Sequence, residues 1–340
     1  MIRLQEIKKE FKIFNKKNVL IEPYTGIILN KNDKPYDLRF CSSFIEQKHF
    51  DYFLNQITTD LNKKILYIKK LNDTFFLNFQ YNYAHTLIEI LPKLFFLNFN
   101  KNTNISYNIE ILKHCSEGLK QVLQLILDLF EFKGKIKEVK YDIITRNDDM
   151  PVNSVFNQKN NCFFNLSDTV FEIKNLFLYA SDYYNLRAAR YNFFKMSKYF
   201  WNYFYNSFFY KIKPFRKIFV YRTLKNQYQN SIRCLNQDEI YNFLKKYDFE
   251  KIEPNEMSVI NQMKVFSEAK EVVGIHGAGL ANIIFCQPKT KIVNINNFGN
   301  DKFFKNCTND SDSYKNVMSM DKNKPSLILK KEQIKSLINV

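Results

Sequence analysis

The sequence predicts an α/β fold with two domains, and three observations lead to that prediction. The chain has 340 residues, which is enough for two domains of ordinary size. Its hydrophobic fraction of 45% is sufficient for a substantial core. In the C-terminal part, short runs of β-branched and aromatic residues alternate with segments of helical periodicity, which is typical of a parallel sheet. We expect an N-terminal domain over residues 1–205 and a C-terminal domain over residues 206–340.

In the C-terminal domain, four predicted strands alternate with helices. The strands are residues 217–221, 249–252, 271–275 and 291–295. Asn236 and Ser258 are predicted N-caps of the two intervening helices, because their side chains can accept hydrogen bonds from the first helical amides. Apolar residues at helical spacing should be buried, namely Ile240, Phe243 and Leu244 on the first helix and Ile260, Met263 and Phe266 on the second. We also expect a short helix over residues 277–285, a loop over the polar residues 306–324, and a closing helix over residues 327–338.

The N-terminal domain has the same mixture of elements in a less regular pattern. Strands are predicted at residues 65–68, 74–77 and 136–144, and helices at residues 83–99 and 120–132. Pro92 should break or kink the first helix, because proline removes a helical hydrogen bond. Residues 191–215 interleave aromatic residues with lysines. This pattern fits either a helix packed on both domains or a segment that docks at a membrane interface.

The net charge of +17 has two explanations. A basic protein can bind nucleic acid, an anionic membrane or an anionic substrate. Alternatively, an AT-rich genome supplies lysine together with the abundant phenylalanine and tyrosine, of which there are 34 and 21. The charge by itself does not choose between these explanations.

Cysteine usage and the absence of long apolar runs indicate a cellular compartment. The six cysteines are scattered, with no CxxC pair and no Cys/His cluster at zinc spacing, so we expect free thiols in a reducing compartment. The first ten residues are charged, and no uncharged apolar run is long enough to cross a bilayer. We expect a cytoplasmic protein, and peripheral contact with the anionic inner face of a membrane is an alternative that the charge leaves open.

The most informative segment is a glycine turn between a predicted strand and a predicted helix. Glycine is rare, with seven residues in all, yet Gly274, Gly277 and Gly279 fall within six positions. Ligands of open α/β sheets bind at the carboxyl ends of strands, and the amides that begin a helix attract a diphosphate. Gly277 and Gly279 would let phosphates approach the main chain, and His276 could donate to a phosphate or a sugar hydroxyl. The alternative is a tight turn that uses glycine for steric reasons alone.

Two further sets of residues can carry chemistry. His85 and Glu89 are four residues apart, so on a helix they share one face, either as a structural pair or as part of an acid–base site. Arg222 and Arg233 follow the first strand of the C-terminal domain. A guanidinium group matches the oxygens of a phosphate, so either arginine could neutralise a diphosphate, and the alternative is a surface arginine.

These segments together resemble the family 61 glycosyltransferases, a group that includes bacterial capsular polysaccharide enzymes and eukaryotic xylan or O-linked GlcNAc enzymes. The stretch GIHGAGLANIIFCQPKTKIVNI is similar to the family's HGAGL turn with its following Asn, aromatic residue and Pro. Residues 82–92 are similar to its N-terminal motif, in which an acidic residue follows a His by four positions. The likeness covers about residues 80–98 and 215–297.

The resemblance implies a GT-B fold, in which two Rossmann-like domains face each other across a cleft. The C-terminal domain would hold the nucleotide sugar and the N-terminal domain the acceptor. It also implies transfer with inversion at the anomeric carbon. We therefore predict an inverting glycosyltransferase that moves a sugar from a nucleotide-sugar donor to a glycan or lipid-linked acceptor, in cell-surface polysaccharide biosynthesis such as capsule formation.

The resemblance assigns roles to individual residues. Glu89 is the first candidate for the catalytic base and His85 the second. The predicted donor-binding residues are His276, Gly277, Ala278, Gly279, Leu280, Asn282, Arg222, Arg233 and Asn294. This chain departs from the family at two positions, because Asn294 stands where a Glu is common and Tyr221 where a Ser commonly precedes the first Arg.

Neither a metal nor another cofactor is expected. Asp310-Ser311-Asp312 spells the acidic pair that holds a metal in the other major transferase fold, but it lies in a polar segment after the last predicted strand. Two other functions are alternatives, a basic nucleic-acid-binding protein and a non-catalytic glycan-binding protein of the same fold. We find no recognisable nucleic-acid-binding fold or motif, so no nucleic-acid partner is expected.

Overall fold

A computed structural model of the chain divides it into two units. The first comprises Met1–Tyr81, Glu89–Ser116 and Leu127–Phe193, and the second comprises Asn82–Ile88, Glu117–Ile126 and Phe194–Val340. The structure describes residues 11–22, 27–29, 55, 57–63, 67–76, 83, 86–94, 108–112, 117–129, 131, 135–139, 143–147, 163–167, 169–181, 197, 198, 200, 201, 203, 204, 212–222, 234–296, 302–308, 311–318 and 328–338. The predicted boundary at residues 205 and 206 stays a prediction.

The first unit contains a mixed sheet and a two-stranded hairpin. Its described strands are β1 Phe11–Glu22, β2 Ile27–Leu29, β3 Tyr67–Phe76, β4 Asn108–Leu112, β5 Lys135–Val139, β6 Ile143–Asn147, β7 Phe163–Ser167 and β8 Thr169–Ser181. The sheet has the order β2-β1-β8-β3-β4-β5, while β6 pairs with β7. The pairs of β1 with β2 and β8 are antiparallel, and β8, β3, β4 and β5 run parallel to one another.

One strand prediction in this region needs correction, because the separate strands expected at residues 65–68 and 74–77 are one strand, β3. The strand candidates predicted over residues 136–144 correspond to β5 and the start of β6. Helix α1, Glu117–Leu129, confirms the helix predicted over 120–132. Within the helix predicted at 83–99, the structure has a π-helical turn at Thr86–Ile90 followed by a 3-10 turn at Leu91–Leu94, and Pro92 lies in the second of these turns.

The second unit is built on a sheet whose described strands are all parallel, which confirms the predicted α/β class. The strands are β9 Arg216–Val220, β10 Glu250–Ile252, β11 Ala269–Ile275, β12 Lys291–Asn296 and β13 Tyr314–Met318, in the order β10-β9-β11-β12-β13. The helices are α2 Gln237–Leu244, α3 Val259–Ser267, α4 Lys302–Cys307 and α5 Lys331–Lys335. The register places Val220, Gly274, Asn294 and Asn316 in one row across the sheet.

Strand β13 and helix α4 correct the prediction of a polar loop over residues 306–324. The polar side chain of Asn316 is satisfied within the fold, because it accepts hydrogen bonds from Asn294 and Asn296 of β12. Internal pairing of this kind removes the cost of burying polar groups. The segment can therefore be a strand of the sheet despite its composition.

The two predicted N-caps behave differently. The hydroxyl of Ser258 accepts a hydrogen bond from the amide of Asn261 at 3.3 Å, which confirms it as the cap of α3. Asn236 precedes α2, but its side chain does not cap the helix. Its amide exchanges hydrogen bonds with the main chain of Leu329 at 2.9 and 3.2 Å, so it ties α2 to the C-terminal segment instead.

The predicted buried face of α3 is wrong at Ile260, which is 38% exposed, whereas Met263 and Phe266 are buried. A helix turns by about 100° per residue, so successive steps of three residues fall about 60° short of a full turn. Ile260 consequently lies at the edge of the arc that Met263 and Phe266 define. Val259 and Gln262 complete the buried face in its place.

The described aromatic residues of the segment 191–215 are mostly buried within the second unit. Phe200, Trp201 and Phe204 are at most 2% exposed. The indole N–H of Trp201 donates to the carbonyl oxygen of Leu87 at 2.9 Å, and its ring packs on Phe285 with centroids 4.9 Å apart. These three side chains are therefore buried in the core and cannot contact a lipid surface. None of the described helices is long and apolar enough to cross a bilayer.

Candidate functional site

The carboxyl ends of β9, β11 and β12 place three predicted site residues at one edge of the sheet. Arg222 lies two positions beyond the end of β9, His276 directly follows β11, and Asn294 lies on β12. The register aligns Val220 with Gly274, and Arg222 and His276 each lie two residues further along the chain. This edge is where ligands of open α/β sheets bind.

The glycine turn presents the amides that begin a helix. The amide of His276 donates to the carbonyl oxygen of Ile295 at 2.9 Å, which extends the pairing one residue beyond β11. A 3-10 helix then spans Ala278–Phe285, and its first bond joins the amide of Leu280 to the oxygen of Gly277 at 3.0 Å. The amides of Ala278 and Gly279 precede that bond and have no acceptor within the helix. They are the donors that an anion could use.

Close packing explains why glycine occupies two of the three glycine positions. A Cβ atom at Gly274 would lie 2.6 Å from Cδ1 of Leu280 and 3.2 Å from Cβ of Val220, so a side chain does not fit there. At Gly279 it would lie 3.3 Å from Cγ of Pro254. Gly277 has extended backbone, with φ 160° and ψ −177°, which any residue can adopt. The ligand interpretation of the turn therefore depends on Gly277.

Asn282 connects the glycine turn to the N-terminal motif. It is fully buried, and its amide nitrogen donates to Oε1 of Gln262 at 2.7 Å and to the carbonyl oxygen of Gly279 at 3.0 Å. The hydroxyl of Tyr83 donates to the amide oxygen of Asn282 at 2.7 Å. Burial raises the pKa of Tyr83, so the hydroxyl stays neutral and acts as a donor. Asn282 thus supports the main chain at Gly279, and its predicted contact with the donor stays a prediction.

Leu280 also has a supporting role. Its side chain is fully buried and lies against the position of Gly274. Ala278, in contrast, is exposed at the start of the 3-10 helix. Of these two predicted donor-binding residues, only Ala278 is therefore accessible to solvent.

A polar cluster surrounds His276 and Asn294. Nδ1 of His276 lies 3.4 Å from the amide nitrogen of Asn294, and its ring packs edge-on against Phe304 with centroids 4.9 Å apart. The amide nitrogen of Asn294, which is fully buried, also lies 2.9 Å from the hydroxyl of Tyr314 and 3.1 Å from Oδ1 of Asn316. The sequence interpretation missed Tyr314 and Asn316 because it missed β13. The only signal for them was the β-favouring Tyr and Val within a polar segment.

Arg222 is a partly buried cation whose Nη1 atom is buried without a hydrogen bond to any described residue. Burial lowers its pKa, and no acidic residue in the described part of the chain opposes that effect. Arg216, at the other end of β9, is different, because it binds Glu250 at 2.8 Å and Glu268 at 2.7 Å. Partial burial of a charge without a counter-charge is costly, so Arg222 has the character of an anion ligand.

Several predicted residues are only partly described or lie outside the described residues. Glu89 lies in the π-helical turn Thr86–Ile90, but its side chain is not among those described. His85, Arg233 and Asp310 fall outside the described residues, and Asp312 is exposed in a turn before β13. Within the described part of the chain, no three His, Cys, Asp or Glu residues form a group that could hold a metal ion.

Comparison with known families identifies the chain. The model of the family Glycosyltransferase 61 matches residues 83–293, which is more than half of the chain. The chain belongs to glycosyltransferase family 61. The match confirms the resemblance seen in the sequence, and it includes Tyr83, Arg222 and the glycine turn. Tyr314 and Asn316 of this family 61 member lie beyond the matched range. Comparison with curated proteins gives no match.

Proposed function

We propose that this chain is an inverting glycosyltransferase that moves a sugar from a nucleotide-sugar donor to a glycan or lipid-linked acceptor, in the biosynthesis of a cell-surface polysaccharide such as a capsule. Family membership supports the transfer of a sugar. The partly buried guanidinium group of Arg222, whose Nη1 atom has no hydrogen-bond partner among the described residues, lies at the same sheet edge as the glycine turn and is the observation that supports a diphosphate site. The GT-B arrangement that the resemblance implies is part of this proposal.

In the proposed reaction, the protein stabilises the leaving diphosphate with main-chain and side-chain donors. The amides of Ala278 and Gly279 and the guanidinium group of Arg222 would neutralise the charge that develops on the diphosphate as its bond to the anomeric carbon of the sugar breaks. His276 would donate to a phosphate or a sugar hydroxyl, and Arg233 would be a second cation. The acceptor hydroxyl would attack from the opposite face of the sugar while a base, Glu89 or His85, removes its proton. One displacement of this kind inverts the anomeric carbon.

A thermal-shift screen tests the donor site. We expect UDP, GDP or CMP, or one of their sugars, to raise the melting temperature, because a ligand that binds only the folded state stabilises it. The stabilisation should persist in excess EDTA, since helix amides and arginine replace a metal in this proposal. Binding that needs added Mn²⁺ or Mg²⁺ would instead place Asp310 and Asp312 in the site. No stabilisation by any of these nucleotides would contradict the proposed donor site.

Sedimentation with liposomes tests the proposed location, a cytoplasmic protein that contacts an anionic membrane peripherally. If the net charge of +17 serves such contact, the protein should sediment with anionic liposomes and dissociate as salt rises. Neutral liposomes are the control. Equal behaviour with both kinds of liposome would leave base composition as the explanation of the charge.

A further inference from the structure

Among the described residues, a side chain and not a neighbouring strand binds the main chain of Arg222. The amide of Tyr221 still donates to the carbonyl oxygen of Ile252 at 2.8 Å, next to β10. At the next residue, the amide of Arg222 donates to Oε1 of Gln237 at 3.2 Å, and Nε2 of Gln237 donates to the carbonyl oxygen of Arg222 at 2.9 Å. One side-chain amide therefore takes the place that a peptide group of an adjacent strand would occupy.

Gln237 is well suited to hold this position. It is the first residue of α2 and only 5% exposed. A buried amide needs partners for both its oxygen and its nitrogen, and the main chain of Arg222 supplies both. The next residue of α2 adds a second link, because the hydroxyl of Tyr221 donates to Oδ1 of Asp238 at 2.9 Å. The first turn of α2 thus fixes the two residues that follow β9.

We propose that Gln237 is a positioning residue for the donor diphosphate, which it serves by holding the main chain of Arg222 in place before the donor binds. This inference rests on the proposed function, in which Arg222 contacts the diphosphate. The guanidinium group has no counter-charge among the described residues, so its position in the free protein depends on its main chain. A cation that is already in place loses less conformational freedom on binding, which strengthens binding without a new contact. Loss of Gln237 should therefore weaken donor binding although no atom that touches the donor is removed.

The test is a double-mutant cycle on the dissociation constant of UDP or GDP, whichever binds the parent protein more tightly, measured by calorimetry. Gln237→Met keeps the length of the side chain but removes both hydrogen bonds, and it should weaken binding by about 10-fold, the effect of losing roughly 1.4 kcal/mol. Arg222→Ala should weaken binding on the order of 100-fold. In the Arg222→Ala background, Gln237→Met should have no further effect, because it acts through Arg222.

Gln287→Met is the matched control. Nε2 of Gln287 also binds two carbonyl oxygens, those of Ile212 and Ser267, but these precede β9 and β11 at the opposite edge of the sheet. It should lower the melting temperature and leave the dissociation constant unchanged. Gln237→Asn is a second variant at the site, in case Gln237→Met does not fold. It keeps the amide but is one methylene too short to make both hydrogen bonds, so it should also weaken binding.

The outcomes separate the two proposals. If Arg222→Ala binds as tightly as the parent, the role of Arg222 in the proposed function is wrong, and the role of Gln237 is wrong with it. If Arg222→Ala weakens binding but neither Gln237 variant does, only the positioning role is overturned. The same conclusion follows if Gln237→Met has its full effect in the Arg222→Ala background, or if Gln287→Met weakens binding equally.

Discussion

Replacing Glu89 with glutamine should lower turnover by roughly 10²–10⁴-fold, the usual contribution of a positioned general base. Glutamine keeps the shape and hydrogen bonding of the side chain but removes the basic oxygen. A base acts on the acceptor hydroxyl in the transition state, so the affinity for the donor should stay near that of the parent. Steady-state kinetics and donor binding, measured on the same preparation, check both expectations.

His85→Ala is the companion variant for Glu89→Gln. The two residues are four positions apart, and Glu89 lies in the turn Thr86–Ile90. If His85→Ala abolishes turnover while Glu89→Gln retains most of it, His85 is the base and Glu89 orients it. If both variants stay active but melt at a lower temperature, the pair is structural, and the base is another residue.

Gly277→Val should weaken binding of a nucleoside diphosphate on the order of 100-fold, while the fold survives. A side chain at this position would block the approach of phosphates to the amides of Ala278 and Gly279, and two hydrogen bonds to a charged group account for a loss of this size. The fold should survive because the extended backbone of Gly277 is one that valine can adopt. Calorimetric titration and thermal melting measure the two effects separately.

Gly274→Val is the matched control, because it should lower the stability of the fold, which Gly277→Val should leave intact. Its Cβ atom would lie 2.6 Å from Leu280 and 3.2 Å from Val220, so overpacking should destabilise the fold by roughly 1–3 kcal/mol. Reduced binding by this variant would follow from unfolding. A Gly277→Val protein that binds as tightly as the parent would show that the turn uses glycine for structural reasons alone.

The strands that define the second unit could be predicted because their signals are local. Residues 217–221, 249–252, 271–275 and 291–295 were predicted, and β9, β10, β11 and β12 lie there within one or two residues. Short β-branched and aromatic runs between helical segments carry this information by themselves. The family could be predicted for the same reason, because its two motifs are continuous stretches of sequence, and the family match contains the glycine turn.

The roles of the individual glycines could not be predicted from the local sequence. Their concentration predicted a turn, but it could not separate a glycine that packs from one that faces a ligand. Val220, which crowds Gly274, lies on the neighbouring strand β9, and Pro254, which crowds Gly279, lies in the 3-10 turn that follows β10. Likewise, β13 was missed because its polar residues are paired with Asn294 and Asn296, which no local pattern reveals.

Local sequence patterns were enough to predict the α/β class of the second unit, the family, and the position of Arg222 and His276 at the ends of strands. Which polar side chains support the site depends on the tertiary structure. Tyr83 and Asn282 are 199 residues apart and share a hydrogen bond, and Gln237 reaches the main chain of Arg222 from the next helix. Such bonds depend on distances of about 3 Å between segments that only the folded chain brings together, so no spacing along the sequence could predict them.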